Sequence, residues 1–287
     1  MEEARALDQV EAEIEAERIS ASIHWDRGEL ALARGETERA HRLAQRHGLV
    51  RSLADTQNAL SGILRDLGEL TVAEEFLDFA GAYFRAIDDP LESAYNVYSR
   101  ARVALLRGDP RQALELGEES LRRFALISET WGVAMAERLL GEAALAAGDT
   151  EEARRWLESA LNRLEERGFA SDIVAVSEGL ARLALAENDF EAAATTCREA
   201  LARLSSDGRS RYRAPLLSSL SRAELALGQP LAALQTAQVA VKEAEASGAP
   251  GALKEARAAL AAVQAGKPAS PRPPDEAVER DDSDLPR

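Results

Sequence analysis

Cysteine is nearly missing from this sequence. Cys197 is the only one in 287 residues, which excludes an intrachain disulfide framework. Aromatic residues make up 5% of the chain while 46% is hydrophobic, with alanine prominent, so helices must pack largely through small side chains. Basic charge is in deficit: 35 Lys and Arg stand against 50 Asp and Glu, a net charge of −15. That balance argues against general binding to nucleic acid or to an anionic membrane and leaves room only for a local basic face. No run approaches the roughly 18 to 20 apolar residues of a membrane span. The opening Met1-Glu2-Glu3-Ala4-Arg5 lacks the basic-then-apolar order of a secretory leader, so a cytoplasmic location is expected.

The constellations of an enzyme are missing too. No glycine-rich phosphate loop occurs and no strand pattern would support one. Of the three histidines, His24, His41 and His47, the last two are six apart, which does not place both on one helical face as metal ligation at i, i+4 would. Carboxylate pairs such as Glu74-Glu75 and Glu151-Glu152 fall in first turns of helices, where negative charge complements the helix dipole. No catalytic residue, metal site or cofactor is expected.

What is present is a repeat. Arg107-Gly108-Asp109, Ala147-Gly148-Asp149, Glu187-Asn188-Asp189 and Leu227-Gly228-Gln229 interrupt helical patterns at a spacing of 40 residues. Glycine or asparagine suits a left-handed helix end, and the following Asp or Pro suits the start of the next helix. Leu67-Gly68-Glu69 lies 40 residues earlier, and Arg34-Gly35-Glu36 a further 33, so six units are expected with the first turn at Gly35. An alanine follows each turn by five residues, at Ala40, Ala73, Ala113, Ala153, Ala193 and Ala233. Seven residues on, Ala80, Ser120, Ala160, Ala200 and Ala240 repeat the small side chain, with His47 breaking the column in the first unit. Cys197 occupies the column of Leu77 and Leu157, which predicts a buried, unreactive thiol. Helices are expected over 3–33, 37–47, 50–66, 71–87, 90–106, 110–125, 129–146, 150–167, 171–187, 190–204, 210–227, 230–247 and 251–265.

Over roughly residues 14 to 265 the sequence resembles the tetratricopeptide repeat family. Leu140-Gly141 matches its Leu-Gly pair, with Leu180-Ala181, Leu60-Ser61 and Leu220-Ser221 as variants, and Ala153 with Ala160 matches its two alanines. The units run 40 residues rather than about 34, and the closing proline is absent. Longer units of this kind look like the sensor portions of bacterial regulators and signalling adaptors. The resemblance implies an all-α right-handed α-solenoid of six helix pairs with a C-terminal capping helix over residues 1–265, each unit touching only its neighbours. Residues 266–287, with five of the ten prolines and the acidic run Asp281-Asp282-Ser283-Asp284, are expected to form a disordered tail.

In the family, the first helix of each unit lines a concave groove. The resemblance assigns to that groove Trp25, Asn58, Arg65, Tyr95, Tyr98, Arg102, Arg138, Arg182 and Arg222. Five arginines on one face of an acidic protein suit bidentate recognition of carboxylate or phosphate. The competing reading is a solvated surface, because Arg138 with Glu142 and Glu178 with Arg182 form i, i+4 pairs. The function expected is a non-enzymatic scaffold or adaptor taking an acidic segment of a protein or peptide in that groove. The alternative is the sensor module of a bacterial regulator that binds a small molecule or signalling peptide.

Overall fold

The computed structural model describes residues 2–204 and 209–266. Thirteen helices account for nearly all of them, and no strand occurs among the described residues. They are α1 (Glu2–Asp26), α2 (Leu30–His47), α3 (Val50–Asp66), α4 (Leu70–Ala86), α5 (Pro90–Leu106), α6 (Pro110–Leu126), α7 (Thr130–Ala147), α8 (Thr150–Arg167), α9 (Ala170–Ala186), α10 (Phe190–Ala202), α11 (Arg213–Ala226), α12 (Pro230–Ser247) and α13 (Pro250–Gln264). Six antiparallel pairs stack in chain order and α13 closes the end, the all-α solenoid that the repeats predict. The expected tail beyond Gly266 lies outside the described residues.

Most helices end where a residue enters the left-handed region, and those residues recur every 20 positions from 28 to 188 and again at 228 and 248. At Gly148 the φ of +87° is one that a side chain disfavours. The next helix is then capped in the same way in successive units. Asp109, Asp149 and Asp189 accept the backbone N–H three residues on, at 2.9, 2.9 and 3.0 Å. Each such cap contributes about 1 kcal/mol.

The first unit differs from the sequence expectation. Its turn is at Gly28, with φ +76°, while Gly35 lies inside α2. Gly28 stands 40 residues before Gly68, so the period holds through all six units and the apparent spacing of 33 disappears. Ala33 becomes the alanine five beyond the turn, Ala40 joins Ala80, Ser120, Ala160, Ala200 and Ala240, and all are buried. His47 therefore breaks no column.

Small residues set the helix spacing within each pair. Seven before each turn stand Ala21, Ser61, Ala101, Gly141, Ala181 and Ser221, all buried. At Gly141 a Cβ would sit 2.6 Å from Leu157 Cγ and 3.2 Å from the Ala153 carbonyl, so α7 and α8 meet there at backbone contact. Cys197 is fully buried, as its column predicts, and burial pushes its thiol up to about 12. At pH 8 the thiolate fraction is then on the order of a thousandfold below that of a free cysteine. Modification by a maleimide in the native state should be slower than in the unfolded chain by at least that order. Comparable rates in stopped assays with and without denaturant would contradict the burial.

One feature departs from nearest-neighbour stacking. The segment 209–212, ahead of α11, crosses to the end of α1. Arg211 N–H donates to the Asp26 carbonyl at 3.0 Å, and Arg209 pairs with Glu29. The Gly28 backbone packs against Arg211, and Pro250 at the start of α13 approaches Gly68. The stack therefore curls until α11 and α13 meet the turns of the first and second units, closing one turn of the superhelix.

Candidate functional site

The first helices of the units, α1, α3, α5, α7, α9, α11 and α13, touch one another in succession and form the inner layer. Positions three, six, ten and thirteen before each turn are those that the resemblance assigns to the inner face of this layer. With the turn at Gly28 they are occupied in α1 by Trp25, Ser22, Arg18 and Glu15. Trp25 thus holds the position of Arg65, three before the turn, rather than that of Asn58. The 40-residue spacing from Gly68 back to Gly28 was the signal for this; the matching Arg-Gly-Glu string at Gly35 masked it.

The middle of the inner layer is a buried ionic network. Arg138 is 2% exposed and donates to Glu142, four residues on. Tyr98 Oη accepts from both Arg102 and Arg138, each at 3.1 Å, tying α5 to α7. Burial alone would raise the Tyr98 phenol, but the two guanidiniums outweigh it and bring it down to about 8. The same competition, won by Arg138 and Arg102, holds the Glu142 carboxyl below its usual range. Arg65, 4% exposed, donates to its neighbour Asp66 at 2.8 Å.

Trp25 is part of the closure. Its indole N–H donates to Asp66 at 2.7 Å, and Arg211 and Arg65 lie 4.5 and 5.6 Å from the ring centroid. Gly62 lets the ring approach, since a Cβ there would be 2.7 Å from it. Beside Trp25 a cavity of about 230 Å³ is lined by Glu15, Arg18, Ser22 and Ile63. Arg18 is bonded to Glu15 at 2.7 Å.

The arginines of α9 and α11 are placed differently. Arg182 has a side chain 38% exposed, and its ion-pair partner Glu178 is 3.9 Å away. Arg222 Nε is buried without a hydrogen-bond partner, and burial holds its guanidinium below the usual range. The charges acting on it are Glu255 of α13 and Arg182. Glu255 stands thirteen residues before the position a seventh turn would take, in the column of Glu15 and Asp55.

The predicted set therefore divides. Arg65, Tyr98, Arg102 and Arg138 come together, but with one another and with Asp66 and Glu142. Within that set Arg182 has only a 3.9 Å ion pair, though Glu178, with Glu255 and Glu142, raises its guanidinium, and Arg222 has a buried Nε without a partner, as Arg138 also does. Asn58 is half-buried and its Oδ1 has no partner. Tyr95 leaves the set: its ring packs 4.8 Å from Phe124 and 5.8 Å from Trp131, because α6 and α7 converge over that end of α5. Trp25 is inward but covered by Arg211. Sequence reasoning missed Arg211, Asp66 and Glu255, and Arg211 comes from an irregular segment with no place in the repeat. No group of three or more potential metal ligands occurs among the described residues, nor does a helix long and apolar enough to cross a membrane.

Comparison with known proteins agrees with this geometry. A family model described as tetratricopeptide repeat matches residues 90–166, and a second with the same description matches 21–46 and 175–199. The match at 21–46 spans the Gly28 turn. No curated protein matches in sequence. Among solved structures, a Rap protein complexed with competence and sporulation factor is similar with a TM-score of 0.66 at 13% identity, covering 88% of this chain and 75% of that one. A signal transduction ATPase with numerous domains and a tetratricopeptide repeat sensor, from Pyrococcus horikoshii, gives 0.56 at 18% identity, covering 91% of this chain and 40% of its own. NprR in complex with its cognate peptide NprX gives 0.53 at 13%, covering 89% and 77%. At these identities the likeness is one of fold. With the repeat models, the period of 40 and the paired helices in agreement, the chain carries tetratricopeptide repeats over residues 21–46, 90–166 and 175–199.

Proposed function

We propose that the chain is a non-enzymatic scaffold whose inner face takes an acidic segment of a peptide or protein, with Arg182 and Arg222 receiving its charge. The observation that carries this reading is the state of that pair. Two neighbouring guanidiniums stand on the inner layer, one with an unpartnered buried Nε and the other with its carboxylate at 3.9 Å. A buried donor left unmade is unfavourable by about 1–3 kcal/mol, which an anionic ligand would recover. The closed superhelical turn favours a short segment over a long one passing through. A signalling peptide, as in the sensor alternative, suits that closure, and the fold likeness to NprR with its cognate peptide supports it.

The test is binding of a synthetic library of short acidic peptides, followed by fluorescence polarisation on the hits. Arg182→Ala with Arg222→Ala should weaken binding tenfold or more, since a hydrogen bond to a charged group contributes about 1.5–3 kcal/mol. Helicity should be unchanged. Raising the salt should weaken the wild type in parallel, because partly exposed pairs are screened over about 8 Å at physiological ionic strength. Equal capture by the double variant would return these arginines to a solvated surface.

A further inference from the structure

Glu178 stands beside the Arg182 and Arg222 pair without the support that the other deep carboxylates have. Asp66 accepts from Trp25 and Arg65, and Glu142 accepts from Arg138. Glu178 is 7% exposed, and its one ion pair is with Arg182 Nε at 3.9 Å, beyond hydrogen-bond reach. The charged groups acting on it come from its own helix and from α7 and α13. Glu142 and Arg138 face it from α7, Arg182 from its own helix and Glu255 from α13. Glu178 in turn acts on the buried Cys197 of α10, as do Arg198 and Glu224. Arg222 of α11 faces Arg182 and Glu255. Two carboxylates thus oppose its charge, and Arg138 is already engaged by Glu142 and Tyr98. Burial, with those carboxylates, lifts the Glu178 carboxyl to about 7.

We propose that Arg182 and Arg222 bind one carboxylate group of a peptide by exchange, the ligand taking the guanidiniums while Glu178 holds a proton, so that binding takes up one proton. The proposal rests on the reading of this pair as an anion site and adds the class of anion and its coupling. The balance of charge selects the class. With Glu178 neutral, Arg182 and Arg222 against Glu255 leave one net positive charge, which a single carboxylate neutralises and a phosphate dianion would exceed. The coupling is reciprocal: a ligand that favours protonated Glu178 must bind more tightly where that proton is present. Affinity should therefore be greatest below the Glu178 pKa and fall as pH rises through and above 7.

Two hexapeptide probes separate the sources of the carboxylate. One is acetylated and amidated with a single internal Glu; the other has Gln at that place and a free C-terminus. Each is titrated into the full chain from pH 6 to 8.5 at fixed ionic strength, in the wild type, Glu178→Gln and the Arg182→Ala, Arg222→Ala double variant. The expected result is that at least one probe binds, with affinity falling up to tenfold per pH unit above 7 in the wild type and no such slope in Glu178→Gln. That variant also controls for the pH response of the rest of the chain. Calorimetry of the wild type in two buffers of different ionisation enthalpy should show up to one proton taken up per peptide, and this readout stands even if Glu178→Gln fails to fold. Arginine-dependent binding with a flat pH profile, with no proton uptake, or with the slope kept in Glu178→Gln overturns the exchange while leaving the anion site. Binding of neither probe at any pH, or binding indifferent to the arginines, overturns the anion site and the exchange with it.

Discussion

Replacing Glu142 by alanine should destabilise the protein by about 3–5 kcal/mol, because it leaves Arg138 as an uncompensated charge that is 2% exposed. Tyr98 remains as a partner, but below pH 7 its phenol is mostly neutral and offers little counter-charge, so the loss is to be read there. The loss should be local before it is global. A repeat array transmits strain to nearest neighbours, so amide exchange should accelerate first in α5, α7 and α9. Converting Arg138 and Glu142 together to methionine should recover most of the stability, since well-packed apolar side chains often replace a buried ion pair without penalty. Denaturation midpoints for the two variants decide the matter. A Glu142→Ala midpoint within error of the wild type would show that water reaches the network.

The second large effect is expected at Trp25. Truncation to alanine removes the indole donor to Asp66 and the surface on which Arg65 and Arg211 rest. A large aromatic truncated in a core destabilises by about 3–5 kcal/mol, and the half-buried Trp25 belongs at the lower end. The more telling consequence is one of shape. With Trp25 gone, the contact of segment 209–212 with α1 retains the Arg211 backbone bond to Asp26 and the Arg209 pair with Glu29. Exposed pairs of that kind contribute little. The closed turn should open, raising the radius of gyration in small-angle scattering and speeding exchange in α1. An unchanged scattering curve would mean that Pro250 at Gly68 and the remaining contacts suffice to hold it.

The repeat was legible because each turn needs the same backbone geometry and each pair the same close approach. Gly68, Gly108, Gly148, Asn188 and Gly228 all take positive φ, and the alanines five beyond them are fully buried. Gly35 misled because a helix tolerates glycine at about 1 kcal/mol, so the string Arg34-Gly35-Glu36 carries no turn by itself. That Arg102, Arg138, Arg182 and Arg222 sit on the first helices of their units was legible from the repeat, and the resemblance assigned those helices to the groove. Their engagement was not legible, because Tyr98 reaches across 40 residues to Arg138, and nothing local records that. The closure was beyond a reading by units. It depends on small rotations summed over five of them, and it joins Asp26 to Arg211 across 185 positions of chain.

That closure also makes the array count its own length. A solenoid of interchangeable units tolerates duplication or loss of one, since every junction resembles every other. Here the end of α1 must meet the irregular segment 209–212, ahead of α11, and Gly68 must meet Pro250. Copying a 40-residue unit between them would carry Arg211 past Trp25 by the rise and rotation of one unit. The indole would then face an ordinary interhelix turn, with Arg65 the guanidinium left beside it. Unit number in this chain is fixed by geometry, as the number of teeth is fixed in a gear that must mesh with itself.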